Sequence, residues 1–144
     1  MVPEQPGRLR ASRCRPPVGV PLQATFPHGP EAPGAARAFA RDLLEQEAPD
    51  LSPDALGEVL VIVSELVTNA YRYATKPGEV VLVAILVSAE LVRVEVHDPV
   101  QRRPRFQVAT ANGGRGLRIV DAFAKRWDVD VRPDGKSVWA EVAR

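Results

Sequence analysis

One cysteine, one methionine and two histidines are spread over 144 residues, and each scarcity removes a class of explanation. Cys14 has no second thiol to pair with and only distant histidines, so neither an internal disulfide nor a zinc set of cysteines can be built. A reducing cytoplasm is the expected setting. No stretch approaches 18 uninterrupted apolar residues, and the basic N-terminus lacks the apolar core of a secretory signal, so the chain reads as soluble with no membrane partner. An excess of charge of one sign is missing too. Lys and Arg number 19 against 18 Asp and Glu, a net charge of +1, which gives no global electrostatic case for nucleic acid or an anionic membrane. Function must therefore be sought in a site, on one domain able to bury roughly 70% of its unfolded surface.

Residues 1–20 combine four prolines and four arginines with almost no apolar periodicity. Such a composition cannot bury enough surface to offset the entropy of ordering, and a disordered basic arm is expected before a single domain over 21–144. Leu22, Ala24 and Phe26 then alternate as a short strand that stops at Pro27. Ala32, Ala35, Ala36, Phe39, Ala40, Leu43 and Leu44 fall at spacings of three and four, one face of a helix over 31–48. Ser52 offers an N-cap oxygen, Pro53 suits the first helical position and Asp54 complements the dipole, so a second helix should run to about Ala74, about 33 Å long.

Residues 79–87 are apolar on both faces, whereas Val92, Val94 and Val96 alternate with Arg93, Glu95 and His97. This reads as a hairpin of a central strand and a more exposed one, joined by Ser88-Ala89-Glu90. Pro99 to Gly114 lacks periodicity and should be a loop. A third helix should begin near Arg115 with Leu117, Ile119, Val120 and Phe123 as its apolar side, followed by a second hairpin around Pro133-Asp134-Gly135. The order β-α-α-β-β-α-β-β implies an α+β, two-layer sandwich of a mostly antiparallel sheet with helices on one face.

Four features could carry chemistry. Glu65 and Asn69 stand four residues apart on the second helix, roughly opposite its apolar stripe, yet Val61 and Ile62 flank Glu65. They are either a solvated edge or one wall of a ligand cleft. Asn112-Gly113-Gly114-Arg115-Gly116-Leu117 is either an ordinary turn or a backbone cradle for phosphate at a helix N-terminus. Asp98 ends a strand before Pro99, as a turn opener or as an acceptor for the amino group of a base. Ser137 could support Asp98 if their strands lie close.

In order along the chain, Glu65-Leu66-Val67-Thr68-Asn69-Ala70, a strand ending in Asp98-Pro99, Gly113-Gly114-Arg115-Gly116-Leu117 and Gly135-Lys136-Ser137-Val138-Trp139 resemble the Bergerat ATP-binding fold. DNA gyrase B, sensor histidine kinases and anti-sigma-factor serine kinases share it, and the likeness is greatest to the last group and its actinobacterial relatives, over about residues 22–142. The resemblance implies ATP and Mg²⁺ as cofactors. It gives Glu65 the role of general base, Asn69 that of Mg²⁺ ligand, Asp98 that of adenine reader and Ser137 that of its supporting hydroxyl. Gly114, Arg115, Gly116 and Leu117 would meet the phosphates, and about 100–113 would form a lid whose Arg102, Arg103 and Arg105 contact phosphate or a protein.

By the same resemblance the chain would be a homodimeric serine/threonine kinase that phosphorylates a STAS-type antagonist and switches between it and a sigma factor or equivalent target. The alternative is a module of the same fold that sequesters a partner without catalysis. The chain departs from the family pattern at Tyr73, where histidine is common, and at Val100, where many relatives have glycine.

Overall fold

The computed structural model describes residues 22–102 and 116–144. The expected arm over 1–20 and most of the expected loop lie outside the described residues. Among the described residues five strands form one sheet: β1 (Leu22–Pro27), β2 (Val80–Val87), β3 (Leu91–Asp98), β4 (Arg126–Arg132) and β5 (Gly135–Ala143). Their spatial order is β1-β2-β3-β5-β4, with every neighbouring pair antiparallel. Among the same residues three helices, α1 (Ala32–Glu47), α2 (Pro53–Tyr73) and α3 (Gly116–Phe123), complete the α+β sandwich that the sequence predicts.

The sequence dictates which side of the sheet the helices cover. Val83, Ile85, Val92, Val94, Val96, Val138, Ala140 and Val142 recur every second residue and stand side by side in the register, so they share one face. All three helices contribute to the single core on that face, α1 through Ala36, Ala40 and Leu44, α2 through Val59, Ile62, Val63 and Val67, α3 through Leu117 and Val120. Ser52 Oγ accepts from the Ala55 amide at 3.1 Å, with Pro53 and Asp54 in the first turn, so the start of α2 follows the expected capping chemistry. Val61 and Phe123 are exposed and take no part in the core.

The sequence pattern misleads on β3. Its alternating charges suggest the more exposed partner of the hairpin, but β3 is the middle strand of five, and Arg93 is only 3% exposed. The charges are tolerated because they satisfy one another on the sheet's far face. Arg93 Nε donates to Glu95 Oε2 at 2.7 Å, and His97 Nε2 lies 3.1 Å from Glu95 Oε1. The Arg93 guanidinium also rests 4.1 Å from the centre of the Trp139 ring, a cation–π contact across to β5.

Candidate functional site

α2 is the element that carries the predicted catalytic pair. Its Ser64 hydroxyl accepts from Arg37 of α1 at 2.7 Å, which fixes the flank of α2 turned toward α1. At 100° per residue, Asn69 falls about 140° from Ser64, with Glu65 about 40° from Asn69, so the two share one edge of α2 away from Ser64. Both are half-buried, one helical turn apart, and neither makes a hydrogen bond among the described residues. The pair is thus a carboxylate and an amide held on one edge with their acceptors uncommitted. Val61, which falls between Ser64 and Glu65 around the helix, is exposed.

Asp98, the last residue of β3, is 8% exposed and points to the helix face, as Val94 and Val96 do. The residue opposite it on β5 is Lys136. Lys136 Nζ donates to Asp98 Oδ1 at 2.9 Å and to the Val100 carbonyl at 3.0 Å, while the Val100 amide donates to the same Oδ1 at 2.8 Å. Burial pushes the Asp98 carboxyl above the usual carboxylate range, with Lys136 and the Val100 amide pulling the other way.

Ser137, expected as the hydroxyl that supports Asp98, does not do so. It pairs with His97, one step off in register, and strand alternation turns its side chain to the opposite face. Its Oγ is buried without a hydrogen-bond partner. Lys136 takes the place intended for it. The signal was available in Gly135-Lys136-Ser137, since the residue directly after the hairpin glycine is the one that faces the end of β3.

Gly135 fixes this arrangement. Its φ is +151°, and a Cβ there would fall on the Asp98 carbonyl oxygen and lie within 2.8 Å of Pro99 Cα. Close approach of the β4–β5 turn to the end of β3 therefore needs a residue without a side chain. Of the predicted phosphate-facing set, Gly116 opens α3 and Leu117 is a buried core residue at 4% exposure. Gly114 and Arg115 lie outside the described residues, as do Arg103 and Arg105, and Arg102 is exposed.

A concavity of about 460 Å³ opens at the rim of the sheet, lined in part by Glu79, His97, Asp98, Arg132, Asp134 and Lys136. Among the described residues, Asp98 is the one predicted site residue that borders it; Glu65 and Asn69 do not. At the end of α2, His28 Nδ1 lies 2.9 Å from Thr75 Oγ1, which donates to the Ala70 carbonyl at 3.1 Å, and the His28 ring meets Tyr71 edge-on. These contacts tie β1 to the last turn of α2, a link that sequence reasoning missed because His28 and Thr75 are 47 residues apart. Tyr73, one of the departures from the pattern, is 49% exposed.

The donor set fits a nucleotide-borne magnesium better than a dedicated metal cage. Among the described residues no group of three His, Cys, Asp or Glu is assembled. A magnesium ion near Asn69 would therefore complete its shell with phosphate oxygens and water, as this hard cation commonly does. Among the described residues no helix is long and apolar enough to cross a membrane.

An antiparallel sheet covered on one face by three helices, with an acid-amide pair on the central helix and a buried carboxylate at a strand end, defines a nucleotide-binding architecture of the Bergerat type. Residues 26–142 match the histidine kinase-like ATPase domain family. The chain belongs to that family, and its domain is of the ATP-binding kind. No curated protein matches it.

Proposed function

We propose that this protein is an ATP-dependent serine/threonine kinase of the anti-sigma type, which phosphorylates a STAS-type antagonist and alternates between that antagonist and a sigma factor. The observation that supports it is the Glu65–Asn69 pair: one turn apart on α2, half-buried, and free of hydrogen bonds among the described residues. Glu65 would take the proton of the attacking serine hydroxyl, which is worth about 10² to 10⁴ in rate. Asn69 would hold the magnesium that accompanies the phosphates, and when bound that ion supplies charge stabilisation to the transferring group. Asp98 would accept from the exocyclic amino group of adenine, Gly114, Arg115, Gly116 and Leu117 would flank the phosphates, and Ser137 would not contact the base. A cytoplasmic homodimer belongs to the same proposal.

One specific observation favours a second reading, a partner-sequestering module with little or no kinase activity. Asp98 Oδ1 already accepts from both Lys136 and the Val100 amide, which leaves less capacity for a base. Calorimetry with ATP, run with magnesium and with chelator, separates the cases when combined with radiolabelled ATP and a retrieved partner protein. Binding plus a labelled partner serine supports the kinase; binding without label supports the module. No heat at millimolar ATP removes the kinase and leaves only a module that works without nucleotide.

A further inference from the structure

Asp98 has two carboxylate oxygens, and the described residues use only one. Oδ1 accepts from Lys136 Nζ at 2.9 Å and from the Val100 amide at 2.8 Å, whereas Oδ2 makes no hydrogen bond among the described residues. The buried side-chain atoms without a partner among those residues are Arg93 Nη1, Ser137 Oγ and Trp139 Nε1. Oδ2 is not one of them, so it keeps contact with solvent while Oδ1 is held.

Lys136 is half-used in the same way. Its ammonium carries three protons and accepts nothing. One proton goes to Asp98 Oδ1 and one to the Val100 carbonyl at 3.0 Å, and nothing among the described residues takes the third. In the register Lys136 stands directly opposite Asp98; Val138 and Ala140 continue its side of β5 as Val96 and Val94 continue that of Asp98 on β3. Both side chains therefore turn to the face that carries the helices. A free acceptor and a free donor lie there side by side, joined through one hydrogen bond and both anchored on Val100.

We infer that Lys136 is a second base-reading residue: its third proton goes to a ring nitrogen beside the 6-amino group of adenine, while Asp98 Oδ2 accepts from that amino group. This rests on the proposal above that Asp98 reads adenine. It also answers the objection that Lys136 and Val100 use up the carboxylate, since they occupy one oxygen and orient the other.

Adenine carries the complementary pattern. Its 6-amino donor is flanked by ring acceptors, N7 on one side and N1 on the other, so an acceptor and a donor set side by side can engage it at two points. Guanine presents O6 and N7 at that edge, both acceptors, and a carboxylate there would face an oxygen with no proton between them. A lysine that served only to neutralise Asp98 would be indifferent to the ring nitrogens, and this separates the two roles.

Calorimetry on the full chain with magnesium tests this by comparing ATP with 1-deaza-ATP, 7-deaza-ATP and purine riboside triphosphate, which lack N1, N7 and the 6-amino group in turn. One of the two deaza analogues should bind about tenfold or more weaker than ATP, the scale of a lost hydrogen bond to a charged group, and its identity names the nitrogen. In Lys136→Met that analogue and ATP should bind within about twofold of each other, the signature of a coupled pair. Both deaza analogues matching ATP in the parent overturns the inference; purine riboside triphosphate that is still weakened then leaves Asp98 as the reader by itself. A Lys136→Met variant that keeps the discrimination overturns it too, because another group then meets the nitrogen. Since that substitution also breaks an ion pair, a second reading uses the unaltered chain. Lys136 is one of three lysines, with Lys76 and Lys125, and in isotope-labelled lysine its ammonium signal should shift with ATP and not with the weakened analogue. A shift of equal size with both overturns the inference. Absence of ATP binding overturns the adenine reading itself and this inference with it.

Discussion

Lys136 and Asp98 form an ion pair of 2.9 Å between side chains 4% and 2% exposed, at the one place where the last strand of the sheet meets the end of its middle strand. Removing one partner of so buried a pair leaves an uncompensated charge. Lys136→Met should lower stability by about 3 kcal/mol at neutral pH. The sign with pH is defined: burial already raises the Asp98 carboxyl, and loss of the lysine raises it further. The deficit then shrinks as pH falls and the carboxylate takes up a proton. Adding Asp98→Asn should recover most of the loss, so urea denaturation of the two single variants and the double variant, at neutral and acidic pH, checks both points.

Two glycines should respond to alanine in opposite directions. At Gly135 a methyl group meets the Asp98 carbonyl in a backbone region that L side chains rarely adopt, and Gly135→Ala should cost about 2 kcal/mol or more and displace the Lys136–Asp98 pair. At Gly57, on the exposed side of α2, a Cβ meets nothing within 4 Å. Gly57→Ala should stabilise by about 0.5 to 1 kcal/mol through helix propensity and a less flexible unfolded chain. Thermal melts of the two variants against the parent settle the signs.

Glu95 predicts an acid sensitivity of the far face. Its hydrogen bond with His97, then the hydrogen bond and charge of Arg93, lower its carboxyl from 4.5 to about 2 against the opposing effect of burial; Trp139 on β5 and Ala84 on β2 stand opposite it and carry no charge. A carboxyl lowered in the folded state stabilises above its unfolded value and loses that contribution as pH falls toward the folded one. Stability should therefore drop between about pH 5 and pH 2, and Glu95→Gln should flatten that part of the curve while lowering stability at neutral pH. Urea midpoints across the acid range measure it.

Much of this molecule is legible because local and global signals agree. Ser52, Pro53 and Asp54 announce the start of α2 in side-chain chemistry alone, and the alternation of Val92, Val94 and Val96 marks the buried face of β3. Where reading fails, the cause is a partner distant in sequence. Arg93, Glu95 and His97 look like solvent-facing charges until Trp139 and Glu141 are placed beside them. Ser137 looks like the neighbour of Asp98 until the register shows that Lys136 is. Spacing along a chain identifies which strands meet, but a shift of one residue reverses which side chain faces the site. The Glu65–Asn69 pair needed no register, because both residues belong to one helix.

That independence makes Glu65 and Asn69 the cleanest place to separate chemistry from fold. Both are half-buried and make no hydrogen bond among the described residues, so Glu65→Gln and Asn69→Ala should each change stability by no more than about 0.5 kcal/mol. Their effects on nucleotide should diverge. With Glu65→Gln the nucleotide affinity should stay within about threefold while phosphate transfer to the partner falls by about 10² to 10⁴, the span of a lost general base. With Asn69→Ala the loss should fall on magnesium-dependent ATP binding, and affinity measured in chelator should match the parent. Calorimetry in magnesium and in chelator, beside a transfer assay, distinguishes the two outcomes. If Glu65→Gln instead weakens binding and leaves transfer intact, the carboxylate is a ligand contact and the general-base assignment fails.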